Sequence, residues 1–294
     1  MIPTRHYVTI DSTNLEAHRL FANGERGPLF LVADEQTAGK GRLARNWVSA
    51  RGNCYSTLVL PLAPRDLISR PILNPGTASP EEKRQLQADE TCPFPSGEGG
   101  PTGRMRSLRA ASISAVPQIG FVVALAVAEV VRDFTNTTPQ LKWPNDVLVR
   151  GAKIAGILTE VLSPSPLTIA IGCGINIAHA PMGLPYPATC LNAEAAVTDR
   201  DEVFQAYQTS LAHWLNIWNF GENFAAIRAA WTKLAFGIGE TVTMTIGTQH
   251  LTGTFEGLTE QGAVILKPVD GPPHILHAGD LHIPSLARLR NGNT

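Results

Sequence analysis

The spacing of apolar and polar residues changes several times along this chain, and each change predicts a different element. A first core strand begins near His6. In Ser12-Thr13-Asn14-Leu15-Glu16 a hydroxyl stands three residues ahead of a carboxylate, the pattern of a capping box, which predicts a helix reaching about Phe21. Leu29 to Asp34 (LFLVAD) and Tyr55 to Leu62 (YSTLVLPL) read as buried strands joined by a Gly- and Arg-rich loop. Ile119 to Phe134 predicts an apolar helix. Leu141-Lys142, Val147 to Val149, a tight turn at Arg150-Gly151 and Lys153 to Leu162 then predict a hairpin in the main sheet, and Leu167 to Ile177 another buried strand. Apolar residues at three- and four-residue spacing place helices at about Asp201 to Phe220 and Phe224 to Ala235. From Gly239 the short alternating segments ETVTMTI, HLTGTFEGL, AVILKPV and HILHAGDLHI predict a small, barrel-like all-β domain, after which SLARLRNGNT reads as a frayed tail.

One stretch departs from these periods. From about Ala63 to Pro117, Pro and Gly are closely spaced and charge is mixed, as in PFPSGEGGPTG, so little apolar surface is available to offset the entropy of ordering. The expectation is a disordered or loosely held insertion. A linker between two domains is the alternative, but the apolar helix that follows needs a partner, and the first hundred residues hold too few elements to close a core. The expected organisation is a domain over 1–236 interrupted by an insertion at about 63–117, a β domain over 237–284 and a tail over 285–294.

Composition narrows the class of protein. At 294 residues, with 44% hydrophobic and 17% charged residues, the chain has ordinary globular proportions. A formal net charge of -1 carries no electrostatic footprint for nucleic acid or an anionic membrane. The start, MIPTRHYVTIDSTN, has no apolar run of signal-peptide length, so a cytoplasmic protein is expected. Ile119 to Val131 falls short of the ~20 residues that span a bilayer and carries Glu129, which predicts a buried helix rather than a membrane span. Cys54, Cys92, Cys173 and Cys190 are scattered without a CxxC pair, and His274 and His277, three apart in a strand, do not converge on a metal, so no protein-held metal is expected.

Three segments carry candidate chemistry. In Gln36 to Trp47 (QTAGKGRLARNW), Gly39 and Gly41 free the backbone to wrap an anion, while Lys40, Arg42 and Arg45 supply charge at close intervals. Neither GxxxxGK[ST] nor a dinucleotide fingerprint is present, and alone the segment reads equally as a solvated basic loop. Lys142-Trp143-Pro144-Asn145-Asp146 sets a ring, a fixed bend and two polar side chains between strands, which also describes a simple turn. Lys153 opens the otherwise apolar strand KIAGILTEV and needs an anionic partner: Glu160 in a structural pair, or a bound carboxylate or phosphate. Gly172, Gly174 and Asn176 in IGCGIN allow close approach of backbone to a ligand, or of two strands to each other.

Taken in order, STN at Ser12 to Asn14, DEQTAGKGRLARNW, KWPND, GAKIAGILTEV and IGCGIN resemble the successive signatures of the biotin protein ligases, over about Tyr7 to Lys233 without the insertion and more weakly beyond. The resemblance implies an α+β fold: a mixed central sheet with helices on one face and a C-terminal SH3-like β-barrel. It also implies condensation of biotin with ATP, accompanied by Mg²⁺, to biotinyl-5'-adenylate, followed by transfer of biotin to a lysine of a carboxylase's biotin carboxyl carrier domain. By the same resemblance Ser12, Thr13, Asn14 and Gln36 would bind the fused rings of biotin, Gly39, Lys40, Gly41 and Arg42 would close over its acid, and Lys153 and Arg42 would be catalytic. Arg45, Trp47, Lys142, Asn145, Asp146 and Asn176 would serve the nucleotide, with Mg²⁺ near Asp146, and Gly172 and Gly174 would form the pocket floor. Ala44 stands where the family commonly has glycine, and Lys40 where it more often has arginine. A first strand near His6 leaves no room for the winged helix-turn-helix of the family's two-function members, so ligase activity without operator binding is expected. A homodimer through an exposed sheet edge is compatible with the resemblance. The alternatives are a lipoate-type ligase of the same fold, disfavoured by the polar STN and Gln36 positions, and a catalytically silent biotin or adenylate sensor, disfavoured by Lys153 and Arg42.

Overall fold

A computed structural model describes residues 2–62 and 113–286, leaving the expected insertion almost wholly, and residues 287–294, outside the described residues. Seven strands form one sheet: β1 (Thr4–Tyr7), β2 (Leu29–Ala33), β3 (Cys54–Pro61), β4 (Gln140–Lys142), β5 (Asp146–Val149), β6 (Ala152–Pro164) and β7 (Leu167–Ile175), in the order β1-β2-β3-β7-β6-β5-β4. β1 and β2 run parallel and the other neighbours antiparallel, so the sheet is mixed. Arg150 (φ 48°) and Gly151 (φ 78°) make the predicted tight turn between β5 and β6, both with the positive φ such a turn requires.

Among the described residues the helices are α1 (Thr13–Ala22), α2 (Val116–Thr135), α3 (Leu191–Glu194), α4 (Arg200–Trp218) and α5 (Phe224–Leu234). Successive strand residues point to opposite faces, and here they separate into two apolar clusters. Phe30, Leu58, Ile169 and Ile171 join α2, α4 and α5 in the main core, whereas Leu29, Leu31, Val59 and Ala170 pack with Ala17 of α1 on the other face. With both faces covered, β2 and β3 need continuous apolar runs, as their sequences show. The long apolar helix α2 would pass for a bilayer span by length and composition, but it lies in the core, with Ile119, Val122, Val123, Ala126, Val127 and Val131 fully buried. Glu129 within it accepts hydrogen bonds from Trp214 Nε1 (3.1 Å) and the Ser210 hydroxyl.

The start of α1 differs from the expectation. Ser12 is the N-cap and its Oγ accepts from Leu15 N at 3.5 Å, which puts Leu15, not an acid, where a capping box needs its carboxylate. Glu16 instead takes hydrogen bonds from Arg19 Nε (2.6 Å) and the Tyr7 hydroxyl (3.3 Å).

The C-terminal segment is a five-stranded antiparallel sheet of β8 (Thr241–Ile246), β9 (Gln249–Leu258), β10 (Val264–Lys267), β11 (His274–Leu276) and β12 (Asp280–His282), in the order β11-β10-β9-β8-β12, consistent with an SH3-like barrel. HILHAGDLHI is thus two strands, broken before Asp280 at Gly279 (φ 143°). Val242, Met244, Phe255 and Leu281 continue the main core, and Trp143 Nε1 donates to Gly262 O at 3.2 Å across the junction.

Candidate functional site

Strand register sets the face of the sheet, the α1 face, on part of which a cavity rests. Tyr55, Thr57 and Val59 of β3 pair with Gly174, Gly172 and Ala170 of β7, which pair in turn with Gly156, Leu158 and Glu160 of β6. The side chains of these nine residues share one face, and at Gly156, Gly172 and Gly174 there is none. Trp47 fills the room over two of them: a Cβ on Gly174 would lie 2.6 Å from its Nε1, and one on Gly156 2.9 Å from its Cζ3. A Cβ on Gly172 would collide with Asn14 Oδ1. The glycines therefore admit two of the protein's own side chains. The resulting cavity is about 580 Å³, within the usual range for small-molecule sites.

At one end the cavity is uncharged and rich in hydrogen bonds. Thr13 N donates to Gln36 Oε1 at 2.8 Å, and Gln36 Nε2 donates to Ser49 Oγ at 3.0 Å. Thr57 Oγ1 lies 2.8 Å from Thr13 Oγ1 and 2.6 Å from Asn14 Oδ1, and Asn14 Nδ2 donates to Glu160 Oε2 at 2.6 Å. Ser12, Thr13, Asn14 and Gln36 all line this end.

The other end is cationic. Lys153 Nζ lies 2.7 Å from Asp146 Oδ1, 5.1 Å from the Trp47 ring centre and 5.5 Å from that of Tyr186. Lys142 Nζ lies 3.9 Å from Asp146 Oδ2. Burial pushes the Lys142 ammonium below the usual lysine range, opposed by the Asp146 charge. Burial alone would raise the Asp146 carboxyl, but Lys153 and Lys142 outweigh it and hold the group below the usual carboxylate range. Arg42 Nη1 donates to Gly279 O at 3.2 Å and lies 3.7 Å from Asp280 Oδ1, while Arg45 pairs with the other oxygen of Asp280. Lys40 and Gly41 also line the cavity, at the exposed side of the loop.

Three residues singled out in the sequence lie elsewhere than that reading placed them. The partner of Lys153 is Asp146 rather than Glu160, which turns to Asn14 and lies 3.7 Å from His18 Nε2. Gly39 does not line the cavity: a Cβ there would meet Ser49 Oγ and Trp47 O at 2.5 Å, so it is the loop folding on itself that needs glycine. Asn176 lies behind the main cavity, with its Nδ2 donating to Thr189 O at 3.0 Å, and borders only a small neighbouring cleft. Asn145 does line the cavity, and its Nδ2 donates to Ile157 O at 2.6 Å. The positive φ described in the loop falls on Leu43 (54°).

Other lining residues gave no sequence signal. Asp280 and Leu281 come from the β domain and Tyr186 from the connection after β7. That connection is seated by Asn53, whose Oδ1 accepts from Ile177 N, Ala178 N and His179 N at 2.9–3.1 Å.

The sequence matches the Biotin/lipoate A/B protein ligase family over residues 105–176 and the biotin protein ligase C terminal domain over residues 237–281. It is 33% identical to the biotin--[acetyl-CoA-carboxylase] ligase of Paracoccus denitrificans, over 87% of this chain and 91% of that one. The ligase of the same name from Mycobacterium tuberculosis is 26% identical, over 92% and 85% of the two chains. Among solved structures, a biotin protein ligase from Aquifex aeolicus in complex with biotin and ATP superposes with a TM-score of 0.68 at 23% identity, covering 95% of this chain and 97% of that one. Two family matches in sequence order, together with near full-length identity of 33%, show that this chain belongs to the biotin protein ligase family.

Proposed function

We propose that this protein activates biotin with ATP as biotinyl-5'-AMP and passes the biotinyl group to a lysine of a biotin carboxyl carrier domain. A single observation carries the reading: one cavity of about 580 Å³ joins a neutral hydrogen-bonding end at Thr13 and Gln36 to a cationic end at Lys142, Lys153, Arg42 and Arg45. Biotin has the matching polarity, a ureido ring at one end and a carboxylate at the other. In the first step a biotin carboxylate oxygen attacks the α-phosphorus of ATP and pyrophosphate leaves. In the second, a lysine ε-amine attacks the acyl carbon, AMP leaves, and the amine gives up a proton.

Two anions must meet in the first step, so fixed positive charge in a shielded site lowers its barrier. Lys153 and Arg42 would hold the carboxylate and α-phosphate. Ser12, Thr13, Asn14 and Gln36 would hold the fused rings, and Arg45, Trp47, Lys142, Asn145 and Asp146 the nucleotide. In this reading Arg42 and Arg45 exchange Asp280 for substrate oxygens. Asp146 suits a Mg²⁺ that takes most of its ligands from phosphate and water, since Lys153 and Lys142 already face both its oxygens. Such an ion would neutralise triphosphate charge. The catalytic unit would span 1–236 and the β domain 237–284.

Incubation with ATP, Mg²⁺ and either biotin or lipoate, plus a carrier domain, tests the reading by the acceptor's mass. A gain of one biotinyl group is expected; a gain with lipoate alone, or none, would overturn it.

A further inference from the structure

We infer that Thr57 and Glu160, neither of which lines the cavity, are positioning residues that set which atoms of the biotin-facing wall donate and which accept hydrogen bonds. The inference rests on the proposed function.

Protons can be counted along one run of contacts. The Glu160 carboxylate can only accept, so the 2.6 Å contact fixes Asn14 with Nδ2 toward Glu160 and Oδ1 toward Thr57. An amide oxygen can only accept in turn. The single hydroxyl proton of Thr57, at 2.6 Å, is therefore committed to Asn14. Thr57 Oγ1 also lies 2.8 Å from Thr13 Oγ1, and Thr13 Oγ1 lies 3.1 Å from Gln36 Oε1, so the single Thr13 proton is taken by one of these two acceptors. Thr13 Oγ1 then presents lone pairs only.

Its neighbour is fixed with the opposite sense. Gln36 Oε1 accepts from Thr13 N at 2.8 Å, which directs Nε2 to Ser49 Oγ at 3.0 Å, and Ser49 Oγ donates to Trp47 O at 2.9 Å. One Gln36 Nε2 proton remains unspent by this chain. The wall thus offers an acceptor at Thr13 and a donor at Gln36, side by side. A ureido edge presents the complement, N–H beside C=O. Without the Glu160 carboxylate the Asn14 amide could turn over and Thr57 donate to Thr13, leaving Gln36 Oε1 at 3.1 Å as the one acceptor that keeps the Thr13 proton from facing the ligand. Thr57 is fully buried and Asn14 nearly so, which makes a lost partner costly, and the absence of a side chain at Gly172 is what lets Asn14 reach the strand. The other ionisable group facing this chain is His18, whose Nε2 lies 3.7 Å from Glu160.

Four variants test this: Thr57→Val, Thr57→Ser, Glu160→Leu and Glu160→Gln. Thr57→Val and Glu160→Leu should raise the KM and calorimetric Kd for biotin at least ~10-fold, the scale of one buried polar group losing its partner. The KM for ATP and kcat should move by less than about threefold, because the cationic end is untouched. Thr57→Ser keeps the hydroxyl and should bind biotin as the parent protein does, whereas Glu160→Gln can donate as well as accept, no longer fixes the Asn14 amide, and should fall between the parent and Glu160→Leu. Should Thr57→Val fail to fold, the half-exposed Glu160 pair still decides. An unchanged biotin KM in Glu160→Leu, an equal rise in the ATP KM, or Thr57→Ser as damaged as Thr57→Val would overturn the inference. A parent protein that never labels its acceptor with biotin would sink the proposed function instead, so the two failures are distinct.

Discussion

Gly174→Ala would place a methyl group 2.6 Å from Nε1, 2.7 Å from Cε2 and 2.9 Å from Cζ2 of Trp47. Ordinary carbon contacts lie at about 3.5–4.0 Å, so the indole must lift by roughly 1 Å. All three atoms belong to one rigid ring, and no flexible end can swing aside. Trp47 sits on the loop that also carries Arg42 and Arg45, and its ring centre is 5.1 Å from Lys153 Nζ. A displacement of that size at a positioned site costs about 10²-fold in rate, which sets the expectation for kcat/KM with ATP. Stability should suffer much less, because the strain falls on a loop: overpacking of about 1–3 kcal/mol lowers Tm by roughly 2–12 °C. Pyrophosphate release and calorimetry measure the two effects. The decisive comparison is a double-mutant cycle with Trp47→Phe, whose smaller ring lacks the atoms that collide. If the collision is the cause, Gly174→Ala should add little to Trp47→Phe. Fully additive losses, or a kcat/KM within about threefold of the parent for Gly174→Ala alone, would refute the reasoning.

Lys153→Ala should slow adenylate formation by at least ~10²-fold in single-turnover assays, the scale of one preorganised charge-stabilising donor; an unchanged rate would reduce Lys153 to a structural partner of Asp146. Asn53→Ala orphans the backbone N–H groups of residues 177–179, of which Ile177 is the buried one, and at about 1–3 kcal/mol for one buried group left unsatisfied the Tm should fall by roughly 2–12 °C by calorimetry. The same variant should weaken the seat of Tyr186. Hydrogen bonds from Arg19 hold the Asp11 carboxyl at about 2, below its ordinary value. Its contribution is therefore complete above about pH 4 and is lost as pH falls toward the folded value. Asp11→Asn should flatten the acid limb of a Tm-against-pH series, and an unaltered limb would contradict the assignment.

How far the site was legible in the sequence depends on whether a feature is local. Strand and helix existence followed from periodicity, and the Arg150-Gly151 turn from its residue types. The partner of Lys153 did not, because it depends on register. Residues 146 and 153 meet across β5 and β6 only because the pairing shifts by one residue between Val147 and Leu148, an irregularity with no mark in the local pattern. Asp280 was invisible for a related reason: it meets Arg45 across 235 residues of chain, and the strand that carries it was expected to be continuous with β11. Long-range contacts of this kind are set by how the β domain docks on the sheet, which the periodicity of neither part encodes.

The glycines show the boundary most clearly. Gly172 and Gly174 read in the sequence as positions where a ligand or a second strand approaches the backbone, whereas the structure puts a side chain of the protein itself against each. What comes close is Asn14 in one case and Trp47 in the other, side chains that belong to the two ends of the cavity. The missing Cβ atoms therefore act before any ligand arrives, by letting the polar end and the aromatic lid settle onto one strand. It follows that replacing either glycine should disturb a different substrate: Gly172 through Asn14 the ureido end, Gly174 through Trp47 the nucleotide end. A shared defect in both would mean that β7 itself had moved.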